Sequence, residues 1–125
     1  MPYQSYCIKI KLKPGSMTRA REWAKTLNET RRDEALATLR DETVFIETVF
    51  LDSTSEGDFL IYFMKMLSAE QSKQAVANSK HDIDRYHQQF KQETWDSRQV
   101  LEMLVDLDRL DELRTYAQAP SQPPP

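Results

Sequence analysis

Cysteine, glycine and histidine are scarce in this chain, and each scarcity removes a class of function. Cys7 is the single cysteine among 125 residues. No intrachain disulfide and no multi-cysteine metal centre can therefore form, and a reducing, cytoplasmic setting is expected. The two glycines, Gly15 and Gly57, both stand in turn-like contexts, so the phosphate-cradling glycine loop and the Gly-x-Ser-x-Gly elbow are missing. Basic excess is missing as well, because 17 Lys and Arg face 20 Asp and Glu, a net charge of −3. Counterion release then supplies little affinity for phosphate backbones, and nucleic acid is not an expected partner. No stretch approaches the ~18 consecutive apolar residues of a membrane helix, and the start, MPYQSYCIKIKLKPG, alternates with lysines instead of forming the apolar core of a signal peptide. No membrane partner is expected.

The residues that are present fit one folded domain. Hydrophobic residues make up 39% and aromatics 10%, enough for a single modest core. Tyr6, Ile8, Ile10 and Leu12 alternate with Cys7, Lys9, Lys11 and Lys13, the period of a strand with one buried face. After Pro14-Gly15, Ser16 is placed to cap a helix in which Met17, Ala20, Trp23, Ala24 and Leu27 recur at helical spacing. No Gly or Pro stands between Leu27 and Arg40, so one long helix is expected to about Arg40. VFIETVFL (44–51) and FLIYFMKM (59–66), joined by DSTSEG, read as an antiparallel hairpin. Ser68 with Gln71 forms a capping-box pattern before a second helical region, AEQSKQAVANSK, which resumes from about Asp82 to Thr94. RQVLEMLVDL (98–107) alternates again and is expected as a fourth strand.

The order is β-α-β-β-α-β, an α+β, ferredoxin-like arrangement: a four-stranded antiparallel sheet with helices on one face over residues 1–108. Residues 109–125 are expected as an extension with a short helix and a proline-rich tail, APSQPPP. Because the hairpin is apolar on both faces, something must cover the sheet side that the helices leave bare. A second copy of the chain, sheet against sheet, is the simplest cover, and a homodimer is expected; the extension folding over that face is the alternative.

The chemistry-bearing residues concentrate in HDIDRYHQQF (81–90), which holds both histidines. On a helix beginning near Asp82, Ile83, Tyr86, His87 and Phe90 share an apolar stripe, with Asp84 flanking it. His87 is the candidate proton acceptor, since imidazole titrates near neutrality, and Asp84 is its candidate orienting group. His81, ahead of the helix, is a candidate ligand contact, and Arg31, inside the polar run NETRRDE, would neutralise an anionic oxygen. Glu47 and Tyr62 on the hairpin are candidate ligand contacts too, together with Lys9, Lys11, Glu102 and Asp106 if all face one polar cavity. The structural alternative is that the histidines only cap and brace the helix. Six residues separate them, so a shared metal is not expected, and no cofactor is expected. Strand three, EGDFLIYF, departs from the aromatic signature of RNA-recognition modules: Glu56 and Asp58 stand where that signature needs a base and an aromatic.

KIKLKPGS (9–16), RRDEALATLRDE (31–42), FIETVFLD (45–52) and HDIDRYHQQF together resemble a bacterial family of small uncharacterised proteins in the dimeric α+β barrel superfamily, over about residues 7 to 108. The last segment has the form His-x-Ile-Asp-x-Tyr-His. The resemblance implies a dimeric ferredoxin-like barrel. The wider superfamily includes cofactor-independent monooxygenases, lactone isomerases, chlorite dismutase-like and haem-degrading proteins and stress-responsive dimers, and none of their catalytic residues maps onto this chain. The function expected is binding of a small organic ligand in a cleft between the second helical region and the sheet; a structural dimer module or a cofactor-independent monooxygenase- or isomerase-like enzyme is the alternative.

Overall fold

A computed structural model describes residues 3–113 of the chain. The elements run in the order β1 (Gln4–Leu12), α1 (Met17–Lys25), a π-helical turn (Thr26–Thr30), α2 (Arg32–Asp41), β2 (Val44–Thr54), β3 (Gly57–Met66), α3 (Ala69–Ala77), α4 (Asp82–Thr94) and β4 (Trp95–Val100). The strands form one antiparallel sheet in the order β2-β3-β1-β4. The expected ferredoxin-like architecture is therefore the one observed.

Residue types account for most of the boundaries. Gly15, at φ +79°, closes β1 where a side-chain-bearing residue would be strained. Ser16 occupies the position before α1, but its hydroxyl makes no capping bond; only its carbonyl serves, accepting from the Ala20 N–H at 2.9 Å. Ser68 does cap α3, accepting from the Gln71 N–H at 3.2 Å.

Two expectations about the backbone need correction. The long first helix is interrupted: a π-helical turn over Thr26–Thr30 ends at Arg31, whose φ of −124° lies outside the helix, before α2 begins. Arg31 then folds back on Glu34, its Nε at 3.0 Å and its second nitrogen at 2.5 Å from one carboxylate oxygen. The polar run thus satisfies itself locally and no apolar stripe has to pass through it. The last strand starts earlier and ends earlier than the alternation implies, at Trp95 and Val100. Beyond it, Leu101 donates its N–H to the Cys7 carbonyl at 2.9 Å, and the chain then leaves the ladder as an extended arm. Residues 110–113 are helical; the remainder of the expected extension lies outside the described residues.

Register assigns the faces. Ile8 pairs with Tyr62, Ile10 with Leu60, Val49 with Tyr62 and Glu47 with Met64, so these side chains share the helix-covered inner face. The core lies there, with Ile8, Ile10, Leu12, Ala20, Trp23, Leu60, Tyr62 and Phe90 in one cluster and the Trp23 and Phe90 rings stacked at 4.5 Å. On the outer face Ser5 stands beside Lys65, and the arm crosses it. Asp106 accepts from Ser5 Oγ at 2.7 Å and from Lys65 Nζ at 2.6 Å, and Asp108 lies 2.7 Å from the same ammonium. Lys65 is 3% exposed under this single layer of chain.

Candidate functional site

Between the helices and the inner face lies a cleft of about 760 Å³. It opens because the helices leave the inner side of β2, at the sheet edge, partly uncovered: Leu51 is 41% exposed, and Glu47 is reached by water from the cleft although protein surrounds it closely. One wall is aromatic. Trp23, Tyr62 and Trp95 meet there, with ring centroids 5.9 Å apart for Trp23–Tyr62 and 5.5 Å for Tyr62–Trp95. The polar lining comes from Glu42 after α2, Glu47 on β2, and His87 and Lys91 on α4.

His87 is fixed by its neighbours. Its Nδ1 accepts the Trp23 indole N–H at 3.1 Å, and since an indole can only donate, the ring proton resides on Nε2. Burial, helped by Lys91, pushes the imidazole down to about 3, so it is neutral across the physiological range. The ring also stacks on Trp23 at 5.6 Å. Such a histidine offers an N–H and has little capacity to take up a proton.

The carboxyls behave in the opposite way. Burial, then the Glu47 and Asp84 charges, raises Glu42 to about 7, and burial raises Glu47 above the ordinary carboxylate range against the pull of Lys91. Burial also lowers Lys91, with Arg98 nearby working in the same direction, while its Nζ lies 4.9 Å from the centre of the Trp95 ring. None of the Glu42, Glu47 and Lys91 side-chain heads has a hydrogen bond or ion pair within 4 Å among the described residues. Tyr62 Oη and Trp95 Nε1 are buried without a partner there as well. Burial raises the Tyr62 phenol, and the nearby Trp95 N–H works against that rise. Backbone strain adjoins the site: Thr43, directly after Glu42, has φ 59°, an uncommon value for a β-branched residue.

Of the residues that the sequence marks as candidates, Glu47, Tyr62 and His87 line this cleft, and His81, Asp84, Arg31, Lys9, Lys11, Glu102 and Asp106 do not. His81 lies on the surface with Nε2 at 2.8 Å from Asp41, whose carboxylate raises its pKa. Asp84 accepts from Ser79 at the start of α4 and so braces that turn instead of orienting His87. Arg31 is committed to Glu34. Lys9 and Lys11 lie on the outer face opposite Gln99 and Ser97, away from Glu47, and Asp106 is held by Lys65. Sequence reasoning missed Glu42, Lys91, Trp95 and Arg98. A signal for two of them was present: His87, Lys91 and Trp95 are spaced i, i+4, i+8, which brings them to one side of α4 and its exit. Among the described residues no three His, Cys, Asp or Glu side chains converge to hold a metal ion, and no helix is long and apolar enough to cross a membrane.

Residues 3–112 match the model of DUF6176, described as a family of unknown function. The chain belongs to this family. No curated protein matches it. Among solved structures, this DUF6176 chain is similar to an L-rhamnose mutarotase from Formosa agariphila, at 20% identity, covering 84% of this chain and 99% of that one with a TM-score of 0.57. It is also similar to a dimeric protein of unknown function and ferredoxin-like fold from Bacteroides fragilis (13% identity, 79% and 92% covered, TM-score 0.51). A Pseudomonas aeruginosa protein compares in the same way (14% identity, 83% and 95% covered, TM-score 0.51). At these identities the likeness is one of fold.

Proposed function

We propose that the cleft binds a small polyhydroxylated ring compound and moves protons on it, as an isomerase of the mutarotase type. The observation that carries this reading is a pair of carboxyls, Glu42 raised to about 7 and Glu47 raised beside it, facing one cleft with no partner closing either. Two carboxyls that disfavour each other's charge hold a proton near neutrality, so the pair offers an acid and a base together. Opening a cyclic hemiacetal requires both. The base removes the anomeric hydroxyl proton, the acid delivers a proton to the ring oxygen, and the ring C–O bond breaks to leave an aldehyde. Rotation about the adjacent C–C bond and the reverse transfers close the other anomer. The His87 Nε2–H, the Trp95 N–H and the Tyr62 hydroxyl would hold the sugar hydroxyls. The part-exposed ring of Trp95 would receive the sugar's apolar side. A fold shared with a sugar mutarotase accommodates this chemistry.

The test monitors anomer interconversion of a panel of aldohexoses, 6-deoxyhexoses, hexuronates and hexose 6-phosphates by saturation-transfer NMR. At least one member is expected to be accelerated, and Glu42→Gln or Glu47→Gln is expected to lower that rate ~10²–10⁴-fold with the fold retained. Catalysis unaffected by either substitution would remove the carboxyls from the mechanism. If no panel member is either turned over or bound, the reading is wrong.

For the assembly, a homodimer formed through the outer sheet face is proposed. Ile46 and Phe50 on that face are 37% and 59% exposed, and on the arm Leu104 and Leu107 are 85% and 88% exposed. A single chain would leave this apolar surface in water, and an identical partner face would cover it. A cytoplasmic setting, which suits the single Cys7, belongs to the same reading.

A further inference from the structure

The charges around the cleft run against the charge of the chain. The whole sequence carries −3, yet the charged side chains that line the cleft are Arg21, Arg32, Lys73, Lys91 and Arg98 against only Glu42 and Glu47. The arginines among these cations are uncommitted. Of the eight described arginines, Arg19, Arg31, Arg85 and Arg109 are tied to Glu93, Glu34, Asp82 and Glu112. Arg21, Arg32, Arg40 and Arg98 form no ion pair among the described residues, and all but Arg40 line the cleft. Arg21, Arg32, Lys73 and Arg98 are all exposed, so they form the mouth, while Lys91 lies deeper beside the carboxyls. Four elements, α1, α2, α3 and β4, each contribute one mouth cation, so the concentration does not come from one helix face.

Cations in excess of the carboxylates along one lining cost free energy unless something of opposite sign occupies the space between them, and a concave site strengthens their common field. We infer that the ligand of this cleft is an anionic derivative of a polyhydroxylated ring, with its carboxylate or phosphate held at the mouth by Arg21, Arg32, Lys73 and Arg98 and its ring directed inward. Guanidinium groups suit such an anion, because their paired N–H donors match two oxygens of one carboxylate or phosphate. The inference rests on the proposed sugar-binding role of the same cleft and adds the charge of its ligand.

Calorimetric titration of the full chain with matched probes tests it: a neutral hexose, the hexuronate of the same stereochemistry, the hexose 6-phosphate, and inorganic phosphate. At low salt at least one of the two sugar anions is expected to bind ~10-fold or more tightly than the neutral hexose, and which of them does so identifies the anion. That preference should shrink as ionic strength rises. It should also shrink in the Arg32→Gln/Arg98→Gln double variant and persist in Arg40→Gln, a change to the uncommitted arginine outside the cleft. If the neutral hexose binds as tightly as both anions, the inference is overturned while the sugar cleft stands. A preference unchanged in the double variant overturns it too, as does inorganic phosphate binding as tightly as the sugar anions. If no probe binds, the sugar cleft falls and the inference with it.

Discussion

The two faces of the sheet each hold a polar cluster, and the clusters are built on opposite principles. On the outer face, Lys65 is enclosed by the arm and fully answered: Asp106 and Asp108 lie at 2.6 and 2.7 Å, and Ser5 donates to Asp106 at 2.7 Å. On the inner face, Glu42, Glu47 and Lys91 meet no partner within hydrogen-bonding reach among the described residues, and Tyr62 Oη and Trp95 Nε1 have none. A buried polar group with its bonds made holds a fold together, whereas one left open costs stability and keeps its bonding capacity for a ligand. The outer cluster therefore reads as structure and the inner cluster as site.

Charge placed on the outer face should have the largest visible effect. Leu104→Asp with Leu107→Asp is expected to halve the mass measured by light scattering, because the exposed apolar arm would no longer tolerate a partner. A wild-type mass equal to one chain would sink the dimer. Next in size, Lys65→Ala should lower the melting temperature more than any single substitution of a cleft carboxyl. It strips Asp106 and Asp108 of their common partner and frees the arm from the sheet. A melting temperature that Lys65→Ala leaves unchanged would mean that the arm is held by other contacts and that the contrast between the faces is overstated.

Alternation made β1 legible, β-branched and aromatic runs around DSTSEG made the hairpin legible, and Ser68 and the stripe Ile83-Tyr86-His87-Phe90 did the same for α3 and α4. It could not show that Glu47 and Tyr62 share a face. That depends on the irregular pairing between Val44 and Ile46, where one residue of slip would exchange the faces of the rest of β2. The π-helical turn was equally hidden, since NETRRDE contains no Gly or Pro to mark it. Sequence position separated His81, ahead of the helix, from His87 on its apolar stripe, but it could not name their partners, a surface aspartate for one and Trp23 for the other. The cations at the cleft mouth come from four separate elements, and only the folded topology gathers them.

The smallest effect is also the most specific to the inner face, and it concerns pH. Glu42 has a pKa of about 7 in the folded chain, above its ordinary value of 4.5. The folded state therefore binds the proton more tightly than the unfolded chain does, and this stabilisation is complete below pH ~4.5 and lost as pH rises through ~7. Glu47 is raised and adds a slope of the same sign. His87 opposes them, because its folded pKa is lowered to about 3: its neutral form favours folding, and that contribution is lost as pH falls from ~6.5 toward 3. His87, and the surface His81 that Asp41 raises, are common to wild type and a Glu42→Gln variant, so the difference between the two isolates the carboxyl. Glu42→Gln should thus match the wild type at pH 4 in chemical denaturation and exceed it by about 2 kcal/mol at pH 8, a figure kept below the full shift because water reaches the cleft. Substitutions around Lys65 should leave this slope untouched. A difference between Glu42→Gln and wild type that stays constant from pH 4 to pH 8 would mean that water holds Glu42 at its ordinary pKa, and the proposed proton transfer would then lack its acid.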